Sequence, residues 1–172
     1  FRFGLRGRLR LLRRCLFLLR LLLLLRCGSD GHDTARQTLQ SRYGTSFTNY
    51  DILTMASIIE KEALTDDDRT LISSVFYNRI ASSMPLQSDA TLAYTLGREV
   101  TADDLTQDDP YNTYTNTGLT PTPICAPSID CLQAVCAPAE TSYFFFYFEP
   151  DANGVMQYYF SETYDEHMAT FS

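Results

Sequence analysis

The feature that most constrains the fold is a change of hydrophobic period along the chain. From residue 49 to 81 apolar side chains recur at helical spacing, whereas 142–161 holds two strand-like aromatic segments separated by Pro150-Asp151-Ala152-Asn153-Gly154. A first helix is expected from an N-cap at Asn49 or Asp51 through MASIIEKEA (55–63). Thr65 with Asp68 three residues on forms a fresh N-terminal cap, and three acids favour the positive end of the helix that follows. Leu71, Ile72, Val75, Phe76 and Ile80 give that second helix a wide apolar face, most simply packed on the first. Asn78 and Arg79 lie beside this face and are placed to bracket a site. Residues 84–97 begin with a Pro-marked turn and continue as a mild helical pattern; 108–123 is a long polar loop rich in Tyr, Asn, Thr and Pro. Ser128 caps a short helix ending before Pro138. SYFFFYF (142–148) reads as a buried strand, VMQYYFS (155–161) as its partner, and ETYDEHMATFS as the start of a last helix. Helices in series with one hairpin, without βαβ alternation, give a single α+β domain in which helices pack with a C-terminal aromatic β-hairpin.

Charge divides the chain at residue 29. Residues 1–29 hold eight arginines and no acid, whereas 30–172 hold six basic and 21 acidic residues, so +8 stands beside −15. A body this acidic has no electrostatic footprint for nucleic acid. Segment 1–29 is nearly a two-letter Leu/Arg sequence, interrupted by Arg14, Arg20 and Arg26, and makes a poor membrane span. It reads as the remnant of a signal or anchor, as a basic amphipathic helix on an anionic membrane, or as an artefact of frame. Residues 30–48 read as a polar linker, leaving 49–172 as the folded domain.

One residue breaks the helical pattern. At about 100° per residue, Met55, Ile58, Ile59 and Glu62 share a narrow arc, while Glu60 and Lys61 point away from it. Glu60 is thus expected to be a surface charge. An inward carboxylate without a counter-charge is costly to ionise, so it holds its proton toward neutral pH, as a general acid must. On periodicity alone, the commoner fate of such a glutamate is a snorkelling rim residue or half of an ion pair. Only its companions decide between these readings.

The cysteines at 15, 27, 125, 131 and 136 form no C-x-x-C pair, and the two histidines are distant from them, which argues against zinc. Core thiols are the default, with a Cys125–Cys131 disulfide as the alternative. In the polar loop, Tyr111 and Tyr114 suit stacking on a sugar with hydroxyls free for hydrogen bonds; the bland alternative is a solvated connector.

Several segments match one family in order: MASIIEKEA, VFYNRIASSMPLQSDATLAY, YNTYTNTGLTPTPICAPSIDCLQA, APAETSYFFF and FSETYDEH. Over residues 50–168 the chain resembles the catalytic domain of the MltG/YceG-like endolytic murein transglycosylases. That resemblance implies cleavage of the β-1,4 link between MurNAc and GlcNAc within peptidoglycan, leaving a 1,6-anhydro-MurNAc end and terminating nascent strands. The second glutamate of IEKE, Glu62, is implied as the catalytic residue. Protonated Glu62 would donate to the glycosidic oxygen, then as carboxylate take the proton from the C6 hydroxyl that attacks C1. The attacker is internal, so a second enzyme carboxylate is not required, and no metal or organic cofactor is called for.

The resemblance further implies a sugar groove lined by Gln87, Ser88, Asp89, Tyr111, Asn112, Thr113 and Tyr114. Asp89 carries an alternative: close to Glu62 it would suit the nucleophile of a two-carboxylate muramidase, and otherwise an orienting group or a helix N-cap. A non-catalytic peptidoglycan-binding or divisome-scaffold domain is the competing class. Glycan strands, peptidoglycan synthases and a membrane are the implied partners, with localisation at the extracytoplasmic face of a bacterial membrane. Family members also carry a membrane helix and a LysM-like module ahead of this domain. The chain has no room for that module, so it is expected either to be a truncated fragment or to have lost its upstream frame, and its last helix is expected to be cut short at the C-terminus.

Overall fold

The computed structural model describes residues 29–151 and 153–170; the reading of segment 1–29 lies outside them except at its last residue. The order is α1 (Ser29–Tyr43), α2 (Asn49–Glu62), α3 (Asp66–Ala81), α4 (Asp89–Leu96), a 3-10 turn (Ala102–Thr106), α5 (Ile129–Cys136), β1 (Phe145–Pro150), β2 (Met156–Ser161) and α6 (Tyr164–Ala169). The α+β expectation holds: α2, α3 and α5 pack together, and the two antiparallel strands stand beside α3.

Local chemistry sets the boundaries. Thr48, rather than Asn49 or Asp51, caps α2 in a reciprocal box: its hydroxyl accepts from Asp51 N at 3.2 Å, and its backbone N–H donates to Asp51 Oδ2 at 2.8 Å. Thr65 and Ser128 cap α3 and α5 as expected, accepting from Asp68 N and Cys131 N. The core joins Met55, Ile58 and Ile59 of α2 to Ile72, Phe76 and Tyr77 of α3 and to Cys131 and Val135 of α5. Each of the larger buried side chains contributes about 1.5–3 kcal/mol by leaving water.

Three expectations need correction. The segment expected to be a linker carries α1, whose Leu39 and Tyr43 are buried; Tyr43 stacks on Tyr77 at 4.8 Å, and Phe47 meets Tyr77 edge-on at 4.9 Å. Leu39 and Tyr43, one helical turn apart, with Phe47 in the loop that follows, are enough to dock a polar helix. Second, strand pairing begins at Phe145 instead of Ser142, in the register Phe145↔Ser161 to Pro150↔Met156. The carbonyls ahead of it are occupied, because Asn78 donates to Thr141 O and Tyr143 O and Arg79 donates to Phe144 O. Third, this hairpin is not a buried strand pair: β1 runs from half-buried to exposed, with Phe148 45% exposed.

Cys125, Cys131 and Cys136 are free thiols, as the default reading had it. The long loop is ordered by its own polar groups. Asn112 donates to Leu105 O and Gln107 O and accepts from Tyr114 N, while Asn116 donates to Asp109 O and Asn112 O.

Candidate active site

Glu62 is the last residue of α2, where the helix runs out against the start of α4. Ser88, the N-cap residue of α4, turns its hydroxyl away from its own helix and donates it to Glu62 Oε1. From the other side Tyr158 of β2 donates its hydroxyl to the Glu62 carbonyl and accepts from Leu64 N at 3.1 Å. The backbone and the carboxylate of Glu62 are thus held separately, one by the hairpin and one by α4.

Electrostatics favour a protonated Glu62. Burial pushes its pKa above the ordinary carboxylate value, and the neighbouring charge of Asp89 adds to that. The Ser88 hydroxyl and the Ala90 backbone N–H pull the other way without overcoming burial. Asp89 itself, the first residue of α4 rather than its cap, accepts from Tyr114 Oη at 2.6 Å.

These groups open into a groove of about 390 Å³. One wall carries Gln87, Asp89 and Tyr114, and the opposite wall is built from the hairpin and α6, including Phe145, Tyr147 and His167. Arg79 forms part of the floor, with its guanidinium 5.1 Å above the Phe145 ring. A larger hollow of about 460 Å³ between α1 and Glu140 is an open dip whose Arg42 and Glu140 approach one another at 3.8 Å; it gathers no comparable chemistry.

The seven expected groove residues separate into two groups. Gln87, Asp89 and Tyr114 line the groove, and Ser88 reaches the carboxylate from beneath it. Asn112 and Thr113 are corrected to buried struts: Thr113 accepts from Ser88 N at 3.0 Å and shares a hydrogen bond with Thr91 at 2.9 Å. Tyr111 is a brace too, with its hydroxyl bound to Thr122 at 2.6 Å and its ring 5.3 Å from Tyr94. Gln87 is held by its backbone N–H on Thr113 O and by Arg79 Nη1 on its Oε1. Its φ of 54° is left-handed, a strained conformation for a residue with a Cβ.

Glu60 is also corrected. It accepts from Ser128 N at 2.9 Å and Ser128 Oγ at 2.7 Å, tying α2 to the cap of α5. Burial raises its pKa, but the two Ser128 bonds outweigh that and leave it lowered. The paired glutamates therefore differ in state as well as direction: Glu60 is held ionised and Glu62 is biased toward its proton. The hairpin's part in the groove went unread in the sequence, although six consecutive aromatics, Tyr143 to Phe148, are more than a two-stranded sheet can cover.

The sequence profile of the YceG-like family matches residues 29–172. Over 119 residues the chain is 46% identical to the endolytic murein transglycosylase of Bacillus subtilis (strain 168), covering 67% of this chain and 32% of that protein. The endolytic murein transglycosylase of Streptococcus pneumoniae serotype 2 (strain D39 / NCTC 7466) is 41% identical over 97 residues, 52% of this chain and 18% of its own length. The crystal structure of a yceG-like protein from Listeria monocytogenes superposes with a TM-score of 0.63 at 40% identity, covering 77% of this chain and 42% of that one. The chain thus spans about a third or less of the length of the curated relatives it matches. A profile match across all the described residues, with the same fold at 40% identity, establishes that this chain belongs to the YceG-like family.

Proposed function

We infer that this chain is the catalytic domain of an endolytic murein lytic transglycosylase, cleaving the MurNAc-GlcNAc β-1,4 bond with formation of a 1,6-anhydro-MurNAc end. The observation that carries the reading is a single carboxyl, Glu62, biased toward its protonated form and opening into a groove with aromatic walls. The names of the relatives supply the substrate class.

In this reading Glu62 first donates its proton to the glycosidic oxygen, while Phe145, Tyr147 and Tyr114 border the sugars with aromatic carbon and hydroxyls. Once ionised, Glu62 is stabilised by the Ser88 hydroxyl, which accompanies the second half-reaction, removal of the C6 hydroxyl proton. That hydroxyl closes on C1 and no water enters the product. Asp89, with one oxygen taken by Tyr114, fits an orienting role better than that of a nucleophile.

The test is the mass of the muropeptide ends released from peptidoglycan. Anhydro ends from the parent and none from Glu62→Gln are expected. Reducing ends would transfer the site to a two-carboxylate hydrolase, and glycan binding without cleavage by either protein would make it a scaffold. Membrane attachment at the extracytoplasmic face and work beside peptidoglycan synthases belong to the same proposal and rest on family resemblance. No helix among the described residues is long and apolar enough to cross a membrane. Fractionation of the parent cells and co-purification with the synthases test both.

A further inference from the structure

Among the described residues Arg79 and Asp104 are the buried charged residues, and they are treated in opposite ways. Asp104 meets Arg98 in a two-pronged pair at 2.7 and 2.8 Å. Arg79, 6% exposed, meets no acid. Its Nε donates to Phe144 O at 2.6 Å, and its Nη1 to Pro85 O at 2.8 Å, Leu86 O at 3.4 Å and Gln87 Oε1 at 2.9 Å, all neutral acceptors. No described residue accepts from Nη2.

A buried guanidinium with only neutral partners leaves its charge uncompensated, at a desolvation cost that an incoming anion offsets. Asp89 makes its wall of the groove unwelcoming to an anion. His167 stands nearby, but burial and the Arg79 charge lower its pKa and favour its neutral form. Arg79 is therefore the cationic end of an otherwise acidic groove.

The next step rests on the murein reading above. The sugar whose C1 reacts is a muramyl unit, and its O3 carries a lactyl arm ending in a carboxylate or in a peptide that bears carboxylates. We propose that Arg79 docks a carboxylate of this arm, so that the site selects strands with charged arms and fixes which way along the groove they lie. Guanidinium and carboxylate are matched in geometry, and a charge-assisted bond between them is roughly twice as strong as a neutral one.

The experiment compares three glycan substrates with the whole chain: peptide-bearing strands, amidase-stripped strands with free lactyl carboxylates, and peptide-bearing strands whose carboxylates have been converted to amides. Masking the carboxylates is expected to raise KM about tenfold or more, with kcat changed much less. If stripped strands keep the low KM, the lactyl carboxylate is the ligand; if only peptide-bearing strands keep it, the ligand is on the peptide. Arg79→Gln, shown folded by its melting transition, is expected to treat all three alike. Equal KM values for masked and unmasked strands with the parent protein would overturn the proposal without any appeal to the variant. Discrimination that survives in folded Arg79→Gln would overturn it too. Failure of the murein reading is separable, because then none of the three substrates yields anhydro ends.

Discussion

Replacing Ser88 with alanine tests the electrostatic account of the site at its most exposed point. The Ser88 hydroxyl makes no capping bond to α4, and its hydrogen bond goes to Glu62 Oε1, so the substitution removes one contact and spares the helix start. A hydrogen bond to a charged group is worth about 1.5–3 kcal/mol, and 1.36 kcal/mol corresponds to one pKa unit, which gives roughly one to two units. The Glu62 side chain borders the open groove, so the lower end, about one unit, is the working figure. The sign follows from which form is bonded. The hydroxyl donates to the carboxylate and favours ionisation, so its loss raises the Glu62 pKa further. As general acid, Glu62 must begin protonated, and kcat/KM therefore falls as pH rises through its free-enzyme pKa. In Ser88→Ala that descending limb should move up by about one pH unit, read from initial rates of anhydro-muropeptide release between pH 4 and 9. A limb that stays in place, or moves to lower pH, would refute the assignment of Glu62 as acid or of Ser88 as its partner.

Glu62→Gln should lower anhydro-product formation by about 100-fold or more, the usual range for a general acid. The same variant should be more stable than the parent at alkaline pH. The native state holds the Glu62 proton more tightly than the unfolded chain, so the parent loses stability as pH rises from the ordinary value of 4.5 through the raised native value. Melting temperatures that differ equally at pH 4 and pH 8 would contradict this. Glu60→Gln has the opposite dependence: its lowered pKa stabilises above 4.5 and fades as pH falls through the native value, so the cost of about 1 kcal/mol should shrink in acid, as measured by denaturant titration. Tyr158→Phe removes the donor to the Glu62 carbonyl and the acceptor for Leu64 N. Roughly 1–2 kcal/mol of stability should go with it, and kcat should fall more than KM rises, because the carboxylate is displaced while the groove walls stay.

Much of the molecule was legible in the sequence wherever a periodicity or a capping box acted locally. The stripe of Met55, Ile58, Ile59 and Glu62 pointed the acid inward, and Thr65 and Ser128 marked the helix starts at which they are found. What escaped was tertiary. Thr113 and Asn112 carry a sugar-binding vocabulary, yet a buried backbone needed their polar atoms more than a ligand did. Glu60 pointed away from the apolar stripe but found the N-terminus of α5, a partner 68 residues distant that helical periodicity cannot reveal. The aromatic run reads as buried by composition, whereas a two-stranded sheet has too few neighbours to cover both faces, and Phe145, Phe146, Tyr147 and Phe148 in succession border the groove.

The left-handed backbone at Gln87 has a consequence for how this site can vary. Glycine would sit there with less strain, since a side chain in that conformation costs roughly 1–2 kcal/mol. It would also take away the Oε1 that accepts from Arg79 Nη1. Stability and recognition therefore pull this one position in opposite directions. Gln87→Gly is the substitution by which a relative could become sturdier while its arginine lost one of the anchors that aim it.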